Sequence, residues 1–133
     1  METYLAIIKV DAEFKEQNEQ PGYRVIYSSG QENWIPLKLF EKHAFRLRES
    51  DRITSDDANR FIKTVESEQI DDRTTLTKLT TITGVVDYRT STCVNPENYN
   101  TSIGEHCNLT RLQDGIFEFL GKALKWGLNG ILK

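Results

Sequence analysis

Asn95-Pro96 is the point at which this chain has to change structure. The residue before a proline is driven out of the helical region, and proline fixes its own φ and has no N–H to donate. A regular element on the N-terminal side must therefore stop there, and a helix can begin only beyond it. Upstream lies EQIDDRTTLTKLTTITGVVDYRTST, in which β-branched residues dominate. It reads as two strands, Glu68 to Thr81 and Val85 to Thr92, joined near Thr83 and Gly84 as an antiparallel hairpin. Downstream, Asn98, Asn100 and Ser102 each carry an oxygen suited to the free N–H groups of a first helical turn. Glu105 stands where a capping-box partner of Ser102 would be.

The helix that follows has the strongest periodicity in the sequence. Asp114, Glu118, Lys122, Lys125 and Asn129 form one polar stripe, while almost everything else from Ile116 to Leu128 is apolar or glycine. Phe117, Phe119, Leu120, Leu124, Trp126 and Leu128 cover more of the circumference than one sheet needs, and Phe117, Leu120, Leu124, Trp126 and Leu128 are the candidate interface residues. The expectation is a core face continuous with a homo-oligomer interface; a wholly internal core and a membrane-surface helix are the alternatives. Gly115, Gly121 and Gly127 permit close approach to this helix.

The N-terminal part supplies smaller elements. Thr3 to Ala12 alternates around Leu5, Ile7 and Val10 as a first strand, and Glu13 to Gln20 reads as a polar loop. Tyr23, Val25 and Tyr27 share one face of a second strand, which turns at Ser28-Ser29-Gly30 into a short strand ending at Trp34. Pro36 suits the first position of a brief helix through His43. Thr54 to Glu66 opens with cap-type residues, has Asp56 and Asp57 in its first turn, and places Ala58, Phe61, Ile62 and Val65 on one side, which predicts a second helix. The fold class is α+β: a small antiparallel sheet with an N-terminal β-β-α unit, a middle helix, a Thr-rich hairpin and a long C-terminal helix. Residues 1–50 and 51–133 read as two modules or as one shared core.

Little in the sequence points to catalysis. His43 and His106 are the only histidines, and no CxxC, HxxxH or HExxH spacing, GxGxxG or Walker loop occurs. No catalytic residue, metal site or cofactor is expected. Asp56-Asp57 and Asp71-Asp72 fit caps and solvated turns better than acid-base pairs, although a phosphodiester hydrolase stays open. A net charge of -3 speaks against nonspecific DNA binding, because neutralising phosphates needs a cationic surplus. Cys93 and Cys107 are read as reduced thiols, Cys107 within the buried side of the helix. TYLAIIKV after Met1 is too short and too charged at its edges for a secretory signal, and no run is long enough to span a bilayer.

Binding residues are better supplied. Asn95, Asn98 and Asn100 surround a helix start, where N–H groups favour an anionic ligand, and Tyr99 offers a ring to stack on; the same residues also serve as turn and cap. Trp34, beside a hairpin turn, is a further candidate ligand contact. Glu66, Glu68, Asp71 and Asp72 make an acidic stretch suited to a basic protein site.

Cys93, Val94, Pro96, Asn98, Tyr99, Ile103 and Gly104, with Arg111 and the aromatic stretch after Asp114, form a pattern of strand, Cys-Val-x-Pro-x-Asn-Tyr loop, Ile-Gly and amphipathic helix. It resembles a family of small, largely uncharacterised accessory proteins of tailed phages and prophages. GYRVIYSSGQENWIPLKLFEKHAF likewise resembles a module found at the start of phage proteins. The resemblance implies a non-enzymatic host-interference protein in the host cytoplasm, binding and sequestering a nucleotide-like immune signal at an oligomer boundary. Its alternatives are a protein-binding inhibitor of a host nucleic-acid or defence enzyme, and a virion structural or assembly component.

Overall fold

The computed structural model describes residues 1–132. The fold is α+β, with two three-stranded antiparallel sheets, short helices and one long C-terminal helix. Two compact units divide the chain: Met1–Leu47 with the helix end from Lys122, and Arg48–Gly121.

In the first unit, β1 (Val10–Phe14), β2 (Gly22–Tyr27) and β3 (Glu32–Pro36) form a meander, followed by α1 (Leu37–His43). Alternation gives the sheet two unlike faces. Tyr23 and Val25 point to the side of α1, where Tyr23 lies 4.4 Å from Phe40 between ring centres and meets Phe14 edge-on at 6.1 Å. Val25 is the one fully buried large apolar side chain of this unit among the described residues. Glu13, Arg24, Glu32 and Trp34 occupy the opposite face. The Ser28-Ser29-Gly30 turn is as expected: Gly30 takes φ +88°, and its N–H donates to the Tyr27 carbonyl at 2.9 Å.

In the second unit, α2 (Ser55–Arg60) leads into β4 (Ile62–Gln69), β5 (Thr74–Thr81) and β6 (Val86–Thr92). A short 3-10 turn (Pro96–Asn98) then precedes α3 (Thr101–Asn129), whose last turns belong to the first unit. Phe61, Leu79, Leu112, Ile116 and Leu120 are buried, with Phe61 and Phe119 5.8 Å apart between ring centres. The turn at Thr83-Gly84 repeats the first hairpin's chemistry, with Gly84 at φ +87° and its N–H on the Thr81 carbonyl.

Three expectations need correction. The first strand is Val10–Phe14 rather than Thr3 to Ala12, because the ring of Phe14 against Tyr23 and the pairing of Glu13 with Arg24 fix the register further along. The middle helix stops at Arg60. Ile62, Thr64 and Val65 are β-branched, and backbone pairing with β5 overrides their helical spacing. The strand expected from Glu68 to Thr81 is broken at Asp71, whose carboxylate accepts the Arg73 N–H at 2.8 Å and turns the chain, so the hairpin is a three-stranded meander. That hydrogen bond, with the Thr74 hydroxyl, holds the Asp71 carboxyl below its ordinary pKa.

Candidate functional site

The Asn-rich turn is built almost wholly from its own hydrogen bonds. The Asn95 side chain accepts the Glu97 N–H at 3.1 Å, and the Cys93 thiol donates to the Asn95 carbonyl at 3.0 Å. Asn100 caps α3, its Oδ1 accepting from the N–H groups of Ser102 at 2.9 Å and Ile103 at 3.3 Å. The cap is therefore Asn100 rather than Asn98 or Ser102, and no Ser102–Glu105 capping box is needed. The Tyr99 hydroxyl bonds Thr75 at 2.9 Å and accepts from Thr101 at 3.2 Å, which ties its polar end to β5. Asn98 is exposed.

Beneath this turn, α3 is seated on β5 by a polar seam. A Cβ on Gly104 would stand 2.7 Å from the Thr75 Cβ, and the Ser91 hydroxyl donates to the Gly104 carbonyl at 3.1 Å. One turn on, the fully buried Asn108 donates to the Thr75 carbonyl at 3.1 Å and to the Thr77 hydroxyl at 3.0 Å. Thr77 in turn meets Ser67 at 2.8 Å. Among the described residues the Asn108 Oδ1 has no hydrogen-bond partner. Gly104, Asn108, Leu112, Ile116 and Leu120 step by four along the seated side. Cys107 lies off that row and is exposed, contrary to its expected burial.

The first unit holds an open pocket of about 410 Å³ lined by Lys15, Gln17, Arg24, Glu32, Asn33 and Trp34. Of the sequence-singled ligand residues, Trp34 is the one it contains. Its indole lies on Gly22, where a Cβ would be 2.5 Å from a ring carbon, and its Nε1 donates to the Lys15 carbonyl at 2.8 Å. Glycine at position 22 thus lets the ring lie on the strand backbone. Arg24 bridges two strands, with Nη1 2.7 Å from Glu13, and Nη2 and Nε at 2.6 and 3.2 Å from the two oxygens of Glu32. Hydrogen bonds to Glu32 first, and then to Glu13, raise the Arg24 pKa further, and Arg24 lowers that of Glu32. The guanidinium is thereby committed to two carboxylates. Lys15 makes no ion pair within 4 Å among the described residues, and its charge acts on the pocket's own carboxylate, Glu32.

Next to the pocket in sequence, a hairpin of Gln17 and Gln20 exchanges two backbone bonds of 2.9 and 3.0 Å around Asn18 and Glu19, both at positive φ. Lys15, Gln17, Arg24, Glu32 and Asn33 were not legible as a site. Their convergence depends on the register Glu13↔Arg24↔Trp34, which alternation alone leaves free.

The remaining expected residues are dispersed in role. Of the interface set, Leu120 is buried within the chain, Phe117, Leu124 and Trp126 are half-buried, and Leu128 is exposed. Phe119 is also exposed. Glu66, Glu68 and Asp72 are exposed. Asp57 is fully buried as the capping-box partner of Thr54: Oδ2 accepts the Thr54 N–H at 2.8 Å, and Oδ1 accepts from the Arg48 N–H at 2.9 Å and Arg60 Nη2 at 2.6 Å. Burial alone would raise its pKa, yet these hydrogen bonds and Arg60 together hold it below the ordinary aspartate value. Among the described residues, no three His, Cys, Asp or Glu side chains converge to hold a metal, and no helix is long and apolar enough to cross a membrane. Comparison with known protein families, curated proteins and solved structures finds no match to this chain.

Proposed function

We propose that this chain works by binding, as a non-enzymatic host-interference protein of phage type that sequesters a small nucleotide-like anion. The observation that carries this reading is the Trp34 pocket, whose volume of about 410 Å³ falls in the range of small-ligand sites. An aromatic surface, one ammonium group and two side-chain amides suit a ring-bearing anion: the ring against Trp34, the phosphate towards Lys15, and Gln17 and Asn33 on the polar edge. Arg24 acts here as scaffold, since its charge is shared by Glu13 and Glu32. The side-chain oxygens of Asn95 and Asn100 are engaged in caps, and Asn98 is exposed. In this reading, enclosure of the ligand is completed by association of copies. Calorimetry with a panel of cyclic and linear nucleotides tests the proposal. Heat with one member, lost in both Trp34→Ala and Lys15→Glu, is expected; no heat with any member overturns it.

A second reading, a surface inhibitor of a basic host enzyme, draws on the exposed carboxylates Glu66, Glu68 and Asp72. Pull-down from host lysate at low and high salt addresses it. A partner released by salt and lost in Glu66→Lys/Glu68→Lys is expected on this reading, and a partner indifferent to both removes it.

A further inference from the structure

β6 is one edge of the second unit's sheet, and five successive residues, Val86 to Thr90, are exposed. Ladder parity shows which backbone groups are unpaired. The Thr81 N–H donates to the Val85 carbonyl at 2.9 Å and the Cys93 N–H to the Arg73 carbonyl at 2.8 Å, so residues 85 and 93 turn their backbone groups towards β5. By alternation, 87, 89 and 91 do the same, while Val86, Tyr88, Thr90 and Thr92 present N–H and C=O outwards. This is an open row of donors and acceptors on a strand with no proline, no bulge and no lysine.

The other edges carry the features that discourage self-pairing. Antiparallel pairing of β1 with a copy of itself about Ala12, whose backbone points outwards, would set Asp11 against Glu13; about Val10 or Phe14 the opposed pairs are Lys9–Asp11 and Glu13–Lys15, in which Lys9 and Asp11 already bridge each other and Glu13 already meets Arg24 within the chain. The same operation on β4 about Ser67 sets Glu66 against Glu68, and a register shift between Ile62 and Thr64 breaks that edge as well. β3 ends at Pro36, which has no outward N–H. β6 behaves differently. A two-fold at Tyr88 places Asp87 of each copy opposite Arg89 of the other, in the positions where cross-strand side chains come closest. Neither residue is in an ion pair among the described residues. Centring on Asp87 or Arg89 would oppose like charges, and centring on Val86 or Thr90 would leave both unpaired. One register is therefore selected.

We infer that β6 is the seam of a homodimer, in which a second copy adds its own β6 antiparallel about Tyr88 and joins the two sheets edge to edge. About six backbone hydrogen bonds form, from Tyr88 to its symmetry mate and from Val86 to Thr90 in each direction. Tyr88, 57% exposed in the single chain, comes beside its mate on the outer face with Val86 and Thr90 flanking. The seam residues belong to the second unit and the pocket lining to the first, and sedimentation reads the one while nucleotide calorimetry reads the other.

Sedimentation of the full chain across the micromolar range tests this, with circular dichroism to verify folding. The unmodified protein is expected to be a dimer. Asp87→Arg and Arg89→Asp, taken singly, each oppose like charges twice and weaken dimerisation by about tenfold or more. The double variant Asp87→Arg/Arg89→Asp restores opposite charges and recovers the dimer. Tyr88→Pro removes the central outward donor while leaving the β5 ladder intact, and yields a folded monomer. Leu128→Glu, on α3, leaves the dimer in place. A chain that stays monomeric, single variants that dimerise as the parent does, a double variant no better than the singles, or dissociation by Leu128→Glu alone would overturn the inference.

Discussion

Replacing Gly104 with alanine sets two opposing quantities against each other. In a helix, alanine is favoured over glycine by about 1 kcal/mol. Here the added methyl would stand 2.7 Å from the Thr75 Cβ, nearer still to its hydroxyl, and 3.2 Å from the Ser91 hydroxyl. Thr75 has little freedom to yield, being fully buried and bonded through its hydroxyl to Tyr99 and through its carbonyl to Asn108. Overpacking costs about 1–3 kcal/mol, and a displaced buried hydrogen bond adds about 1 kcal/mol. The net expectation is a loss of about 1–3 kcal/mol. Gly115 and Gly121 lie on the same helix, and a methyl added at either would meet nothing within 4 Å, so the same substitution there should stabilise by about 0.5–1 kcal/mol. Urea unfolding followed by circular dichroism reads all three as midpoint shifts at constant m. If Gly104→Ala raises the midpoint as the other two do, α3 is not seated on Thr75 and the polar seam is refuted.

Other changes probe separate parts of the chain. Asp57→Asn should cost about 2–4 kcal/mol, because the Thr54 and Arg48 N–H groups and Arg60 lose a buried acceptor. Since the folded pKa of Asp57 is depressed, its contribution is complete above about pH 4 and is lost as pH falls through the folded value. Acid titration of unfolding should accordingly show a shallower acid limb in Asp57→Asn than in the parent. Glu19→Gly relieves a left-handed backbone at φ 65° and creates an Asn-Gly turn, raising the first unit's stability by about 0.5–1 kcal/mol in thermal unfolding. Gly22→Ala should lift the Trp34 indole off the strand and shift its fluorescence towards that of a solvated ring, whereas an unchanged spectrum would contradict the stacking described.

What was legible in the sequence is what local chemistry decides. Pro96 stands in the break between β6 and α3 and delays the helix, glycine at 30 and 84 fixed two matching hairpins, and Thr54 with Asp57 announced a helix start. Each rests on neighbours a few residues apart. The course of β4 was not legible. Ile62 and Val65 satisfy helical spacing, and only the partner strand decides between that and a ladder. The Trp34 pocket failed for a related reason: its lining comes from strands whose register is set by Arg24 meeting Glu13 and Glu32. The Asn-rich turn was legible as a cap, but the choice of Asn100 over Asn98 or Ser102 depended on where Tyr99 is held by Thr75.

The buried amide of Asn108 gives the helix a place as well as an attachment. A row of leucines could slide along β5 by one turn with little loss, since apolar contact has no direction. An amide shared between the Thr75 carbonyl and the Thr77 hydroxyl meets Leu79, which has no hydroxyl, one step along this face of β5, and in the other direction a Thr75 hydroxyl already bonded to Tyr99. The seam therefore acts as an index mark that sets α3 lengthwise on the sheet, with the unused Oδ1 as its energetic penalty. A leucine at 108 would trade that mark for burial: the variant could melt higher and still hold its helix in more than one position, visible as doubled amide resonances along β5.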